Sequence, residues 1–433
     1  MRQDASIASK FLEGKQILKQ WKVPAILLGS LGIANIGDFL YLVAINIIVY
    51  QMTGSAAAVA GLWMVSPLVN ILTKFWTGSF IDYRSKRKIV LVTMVLRATF
   101  IAIIPFAPSL FAIYAILVLL SVAKSFFGPA SMTYVTMLVP QQKRKRFNSL
   151  RSFTSSSAFI IGPALGGTLI LLTNISVTLW LNAGFFLVAA VLLSLLPDTE
   201  KVKHEKIPAL TFSQVAKDFT VVVDFIGSRK YVSAIYLGFL VVMLFSFAMD
   251  VQEVVFTQQV IGLSEIEYSL LISITGIGSV SGALWLSLFA NKVSIRVMMI
   301  IGMLMMTTGY LIYAFSWSFA SVTVGFIILG FFNVFLNAGI TTFYQNNVPV
   351  SVMGRVTSIF GLIQSILQLF FILVIGLLAD FVSLKLTIGS LAILMLITAV
   401  LFTIAVLTPK YSDWYAEEGK SLEKVSLVSK KHQ

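Results

Sequence analysis

Gly78-Ser79-Phe80-Ile81-Asp82-Tyr83-Arg84-Ser85-Lys86-Arg87-Lys88 joins two apolar runs, 57–81 and 89–107. Each run can cross about 30 Å of hydrocarbon as a helix rising about 1.5 Å per residue. Gly78 has no side chain and lets two helices approach closely. Asp82, at the end of the first run, can accept hydrogen bonds from a neighbouring helix N-terminus and pair with a cation. Arg84, Lys86, Arg87 and Lys88 hold the turn on one side of a membrane. Gly78, Asp82, Arg84, Lys86 and Arg87 therefore read as a latch that can close and break. A plain cluster of orientation charges is the simpler alternative.

Ten more apolar runs extend the pattern: 24–50, 110–138, 149–172, 177–196, 231–258, 264–290, 297–315, 319–347, 356–380 and 385–408. Twelve spans predict an all-α membrane protein. The composition agrees, with 58% hydrophobic and 12% charged residues, the latter about half the charged share of a soluble domain. There is no cysteine, which excludes disulfides and thiol chemistry. His204 and His432 lie in polar stretches without metal-ligand neighbours, so no metal or cofactor is expected. The net charge is +14, and its distribution argues against nucleic acid. All 32 lysines and arginines fall in the termini and alternate connections, except Lys385 on the other side and Lys74, Arg97 and Lys124 inside spans. That asymmetry predicts cytoplasmic termini. The polar first 22 residues lack a cleavable signal pattern.

An offset of 209 residues relates the two halves. Trp76 matches Trp285, Val139-Pro140 matches Val348-Pro349, Arg146 matches Arg355, Ser149 matches Ser358 and Gly167 matches Gly376, with Asp82 opposite Asn291. Six spans per repeat make the halves parallel, related by an axis along the membrane normal. The expected organisation is a cytoplasmic segment (1–22), a six-helix bundle (23–196), a cytoplasmic linker (197–230), a second six-helix bundle (231–408) and a cytoplasmic tail (409–433). In the linker, Phe212, Val215, Ala216, Phe219, Val222, Val223 and Ile226 recur at helical spacing. This predicts an amphipathic helix on the inner surface, with a solvated linker as the alternative.

The latch stretch resembles the motif that follows helix two in the major facilitator superfamily, although Ser85 stands where a second Gly is usual and Tyr83 where Arg is usual. Gly162, Pro163, Gly166 and Gly167 in span five are similar to a motif of its drug-antiporter members. With Gly37-Asp38, Arg97, Lys124 and Phe126-Phe127-Gly128-Pro129-Ala130, the pattern resembles the drug:proton antiporter branch that includes macrolide and enterobactin exporters. The resemblance implies two pseudo-symmetric bundles in a bacterial inner membrane, a small-molecule substrate and protons as coupling ion. A monomer is expected.

A charge near the bilayer centre costs a few kcal/mol and needs a reason. Asp38, Arg97 and Lys124 fall near the midpoints of their spans, and Asp250 and Glu253 fall in the outer half of span seven. The first three form either a fixed ion pair or a set with a proton-coupling or substrate role. Glu253 is either a cavity group or a solvated mouth residue, and Lys74 can reach the inner interface. Polar stripes at Asn35, Asp38 and Asn46, at Asn333, Asn337 and Thr341, and at Gln364 and Gln368 either line a cavity or join helices. Phe39, Tyr41, Phe126, Phe127, Phe245, Phe247, Phe331, Phe332 and Phe335 lie at similar depths. Asn35, Phe127, Asp250, Glu253, Asn333, Asn337, Gln364 and Gln368 are the candidate substrate residues. Aromatics with a few polar groups suit a bulky amphipathic solute. The expected function is proton-coupled export of such compounds, with a phospholipid or lysophospholipid translocator as the alternative. An enzyme would need a nucleophile–base or metal set, which the spans lack.

Overall fold

A computed structural model of the chain describes residues 2–54, 56–198, 211–381 and 383–416. His204, His432, Ser421, the linker lysines Lys201, Lys203 and Lys206, and the tail lysines Lys420, Lys424, Lys430 and Lys431 lie outside the described residues.

The first half consists of α1 (Arg2–Thr53), α2 (Ala56–Asp82), α3 (Lys86–Ile103), α4 (Leu110–Leu138), α5 (Gln141–Leu172) and α6 (Ile175–Ser194). The linker helix α7 (Phe212–Ser228) follows. The second half consists of α8 (Lys230–Val251), the single turn α9 (Glu253–Val255), α10 (Glu265–Phe289), α11 (Ile295–Ala314), α12 (Phe319–Asn347), α13 (Val350–Phe381) and α14 (Leu384–Leu407). Spans seven to twelve of the sequence are thus α8 and α10–α14. Along their described residues, eleven of these helices are long and apolar enough to cross a membrane. The remaining long helix, α2, has 27 residues and packs among them against α4 and α13.

Short polar side chains start the helices. The hydroxyls of Ser85, Ser109, Ser294 and Ser318 and the amide oxygen of Asn174 accept hydrogen bonds from backbone N–H groups of the first turns. These N–H groups have no partner inside the helix. The caps also carry the repeat: Ser85 and Ser294, Ser109 and Ser318, and Asn174 and Ser383 are each one repeat offset apart, as are the C-caps Val139 and Val348.

Each half buries its own apolar core. One is built around Leu31, Val90, Tyr134 and Phe186, the other around Phe239, Met299, Tyr313, Phe360 and Met395. Leu171 (88% exposed), Phe111 (83%) and Trp317 (80%) point outward, as lipid-facing residues must.

Four boundaries depart from the sequence reading. α1 starts at Arg2 rather than at 24, so the segment expected to precede the first span continues it as helix. α5 starts at Gln141 and α13 at Val350, so Arg144, Lys145, Arg146, Arg151 and Arg355 sit on helices rather than in loops. Pro140 and Pro349, just ahead of these starts, suit helix entry. The basic residues that follow them are good helix formers that hydropathy does not detect. α8 ends at Val251, short of the expected 258, and Phe256–Ile261 forms a π-helical segment closed by Gly262 at φ 83°.

α7 occupies the expected place, with a different stripe turned inward. Val215, Asp218, Val222 and Phe225 are buried, while Phe219 and Val223 are exposed on an adjacent flank. The helix packs on α2, α8 and α13.

Candidate transport site

The hydrogen bonds that join the two halves cluster at the end of the bundle that carries the basic loops. Asp82 accepts from the backbone N–H groups of Gly354 at 2.8 Å and Arg355 at 3.1 Å, and from Arg355 Nε at 2.8 Å. The side chain of Asp82 is 1% exposed, so this carboxylate depends on charge-assisted bonds at the start of α13. Gly78 lets the helices come this close: a Cβ there would lie 2.7 Å from Arg355 Cα. One turn deeper, Thr77 and Ser358 hydroxyls meet at 3.0 Å, and Lys74 Nζ donates to the Gly361 carbonyl at 3.1 Å. Lys74 therefore bridges the halves rather than reaching for the interface.

The linker joins the same network. Arg355 donates from its terminal nitrogen to Asp218 at 2.7 Å, and Tyr83 donates its hydroxyl to the same oxygen at 2.9 Å. Burial and the bond to Asp218 raise the Tyr83 phenol above its ordinary range, so it remains a donor at neutral pH. The other expected latch cations stay in their own half in the bonds described: Arg84 donates to the Phe80 carbonyl at 3.3 Å, Lys86 to the Asp82 carbonyl at 2.9 Å, and Arg87 to the Ser194 carbonyl.

A second seam closes the same end between α5 and the second half. Arg144 bridges the C-termini of α4 and α12, donating to the Thr136 carbonyl at 2.7 Å and the Gln345 carbonyl at 2.8 Å. A cation there satisfies carbonyls with no helical partner. Lys145 donates to the Val293 carbonyl at 2.8 Å, and Asn148 donates to Gln345 Oε1 at 2.8 Å and the Thr342 hydroxyl at 2.9 Å. The halves thus use unlike chemistry at equivalent places, an acid with Arg355 on one seam and cations on carbonyls at the other.

Mid-bundle, the structure brings Asp38, Arg97 and Lys124 together. Arg97 pairs with Asp38, and Lys124 Nζ lies 3.8 Å from the same carboxylate oxygen. The two cations differ in setting: the Arg97 side chain is 4% exposed, that of Lys124 60%. Arg97 also lies over the ring of Phe186, 4.2 Å from its centroid. Phe127 is a neighbour of Arg97, with its ring centroid 5.8 Å from the guanidinium. Gly162 and Gly166 of α5 pack on α1: a Cβ at Gly166 would meet Leu40 Cα at 3.6 Å, and one at Gly162 would run into Phe39. Pro163 lies within the same helix. Gly167 has open space around it.

A cavity of about 430 Å³ lies mainly in the second half. Tyr236, Phe239, Met243, Ser246, Phe247 and Asp250 line it from α8, Asn337, Ile340, Thr341 and Tyr344 from α12, Gln364 and Gln368 from α13, and Met132 from α4. Asn35, Glu253 and Asn333 are not among its walls; the carbonyl and side-chain oxygens of Asn333 accept from Asn337, and Glu253 bonds to Tyr268. Phe331, Phe332 and Phe335 stack together and against Trp285 in a separate cluster.

A sequence profile described as Major Facilitator Superfamily matches residues 27–372 and, in a second match, residues 239–431. The chain belongs to the major facilitator superfamily. This superfamily protein is 23% identical to the multidrug efflux pump Tap of Mycolicibacterium fortuitum over 405 residues, covering 88% of the chain and 94% of Tap. It is 29% identical to the uncharacterized MFS-type transporter YfiS of Bacillus subtilis over 203 residues, covering 46% of the chain and about half (49%) of YfiS. Its fold matches the human organic anion transporter MFSD10 with a TM-score of 0.75 at 14% identity, over 88% of the chain and 99% of MFSD10. It matches FucP in the outward conformation with a TM-score of 0.73 at 14% identity, over 89% of the chain and 99% of FucP. The superfamily protein is accordingly a multi-pass membrane transporter, not an enzyme.

Proposed function

We propose that this chain is a proton-coupled exporter of bulky amphipathic compounds that works by alternating access, in a bacterial inner membrane with both termini cytoplasmic. The observation that carries the reading is a 430 Å³ cavity of aromatic and amide side chains held above a sealed latch. Such walls suit a large, partly apolar solute. The similarity to Tap, a multidrug efflux pump, supports the same reading.

On this reading the basic-loop end faces the cytoplasm, and the structure is the state closed on that side. Breaking Asp82 from Gly354 and Arg355 opens the cavity inward, and re-forming those bonds closes it. Asp38 carries the proton. Protonation removes the counter-charge of both its cations. Lys124 can turn to solvent, but Arg97 is enclosed against Phe186, so the change in charge acts where α6 packs against α1 and α3. One proton entering with the field supplies about 2.3 kcal/mol per 100 mV, which supports a solute gradient of roughly fifty-fold.

A susceptibility panel tests the function. Cells expressing the protein should resist a subset of bulky amphipathic toxins more than cells lacking it, and a protonophore should remove the difference. Equal susceptibility across a chemically varied panel would contradict export.

A further inference from the structure

We propose that the cavity takes an amphipathic organic monocation, with Asp250 as its counter-ion. This rests on the export reading and names the class of solute. Asp250 is the one acidic or basic residue among the cavity's thirteen lining residues, with no Glu, Lys, Arg or His beside it. It is exposed to the cavity, and its setting differs from that of the paired carboxylates. Asp38 is paired with Arg97 and Lys124, and Asp82 and Asp218 with Arg355. Among the described residues no lysine or arginine lies within ion-pair distance of Asp250. Its partners are neutral hydroxyls: Tyr310 donates to it at 2.8 Å, and Ser246, itself 2.5 Å from Tyr310, stands 3.5 Å away. Two hydroxyls orient a carboxylate but do not neutralise it, and a lone anion in a membrane interior is costly until a cation or a proton meets it.

The rest of the cavity suits a cation with an apolar body. Tyr236, Phe239, Phe247 and Tyr344 supply ring faces, which attract cations and cover apolar surface. Gln364 and Gln368 offer amide oxygens and no charge. From Tyr236 to Asp250 is 14 residues along α8, about 21 Å at the helical rise. The acid therefore sits at the end of the cavity away from the latch, and an elongated solute can seat its charge there with its body toward Tyr344. Glu253 lies about one turn further out and bonds to Tyr268.

Equilibrium binding to the purified full-length protein tests the assignment, with radiolabelled tetraphenylphosphonium as the cation and Nile red as a neutral probe of the same cavity. Wild type should bind both. Asp250→Asn should bind tetraphenylphosphonium at least ten-fold more weakly and Nile red within two-fold of wild type, and Asp250→Glu should recover most of the cation affinity. Three results would overturn the proposal: unchanged cation binding in Asp250→Asn, an equal loss of both probes, or a wild type that binds Nile red alone. The last would leave the export reading standing, whereas a flat susceptibility panel would remove that reading itself. Should Asp250→Asn bind tetraphenylphosphonium normally yet lose uphill transport of neutral solutes, Asp250 is a proton site and the proposal fails.

Discussion

Arg355 of α13 donates from Nε to Asp82 of α2 at 2.8 Å and from a terminal nitrogen to Asp218 of the linker helix at 2.7 Å. One cation thus ties both halves and the segment that connects them. Asp82→Ala leaves the N–H groups at the start of α13 and Arg355 without their acceptor, which favours a cavity open at the basic-loop end. Transport should fall several-fold further than expression. Cysteine accessibility in this gate should rise, and the absence of native cysteines makes that readout clean. Asp82→Ala at wild-type transport and accessibility would leave Asp82 as a topology residue only.

Gly78→Ala tests the same gate without touching a charge. The added methyl would lie 2.7 Å from Arg355 Cα, closer than packed atoms tolerate. Separating the helices should cost the closed state about 1–3 kcal/mol. Its accessibility pattern should resemble that of Asp82→Ala. A Gly78→Ala protein indistinguishable from wild type in cross-linking between α2 and α13 would argue against the close approach.

The linker helix should act as a bolt. Asp218→Asn keeps the side-chain shape but weakens its bonds to Arg355 and Tyr83, so the gate should open more readily than in wild type and less than in Asp82→Ala. Because Asp82 and Asp218 share Arg355, their effects should be non-additive in a double-mutant cycle. Strict additivity would place Asp218 outside the gate.

The two cations at Asp38 should part company in stability. Arg97→Ala removes a buried partner and leaves Asp38 with a more distant cation, which should cost several kcal/mol, about 3–5 for a fully buried pair. Lys124→Ala should cost less than about 1 kcal/mol, because its side chain is 60% exposed. Thermal unfolding of the detergent-purified variants gives the comparison. Equal losses would mean that Lys124 is held more firmly than its exposure indicates.

Topology is open to the same cysteine chemistry. Lys385→Cys, at an exposed site on the sparsely charged side, should react with an impermeant reagent in intact cells, and Ser421→Cys should not. Lys145, the natural choice in the basic loop, is buried in the α5 seam and would report the gate as well as the side. Gln142, exposed one turn earlier, is the cleaner position, and Gln142→Cys should be shielded. Labelling there in sealed cells would overturn the orientation.

The spans, the two-fold repeat and the helical linker were legible because bilayer thickness, charge asymmetry and an exact 209-residue offset all write themselves into residue order. Spans four and ten coincide with α4 and α12 to the residue. The gate was half legible. Gly78 and Asp82 announce a latch, but Arg355 looks like any loop charge until α13 is seen to begin before it. Asp218 was hidden because amphipathic periodicity counts apolar residues, and the docked stripe has an acid in its middle. The cavity was legible in the polar stripes at Asn337, Thr341, Gln364 and Gln368, not in the phenylalanines. Depth alone does not tell Phe247, which lines it, from Phe331, which packs on Phe335.

Proton coupling through Asp38 is the central claim, and substrate-driven proton movement in proteoliposomes tests it most directly. Wild type should acidify or alkalinise the lumen when a substrate gradient is imposed, and should accumulate substrate against its gradient when a proton gradient is imposed. Asp38→Asn, fixed in the neutral form, should bind substrate and exchange it across the membrane but move no protons and perform no uphill transport. Uphill, proton-linked transport by Asp38→Asn at the wild-type rate would contradict the account.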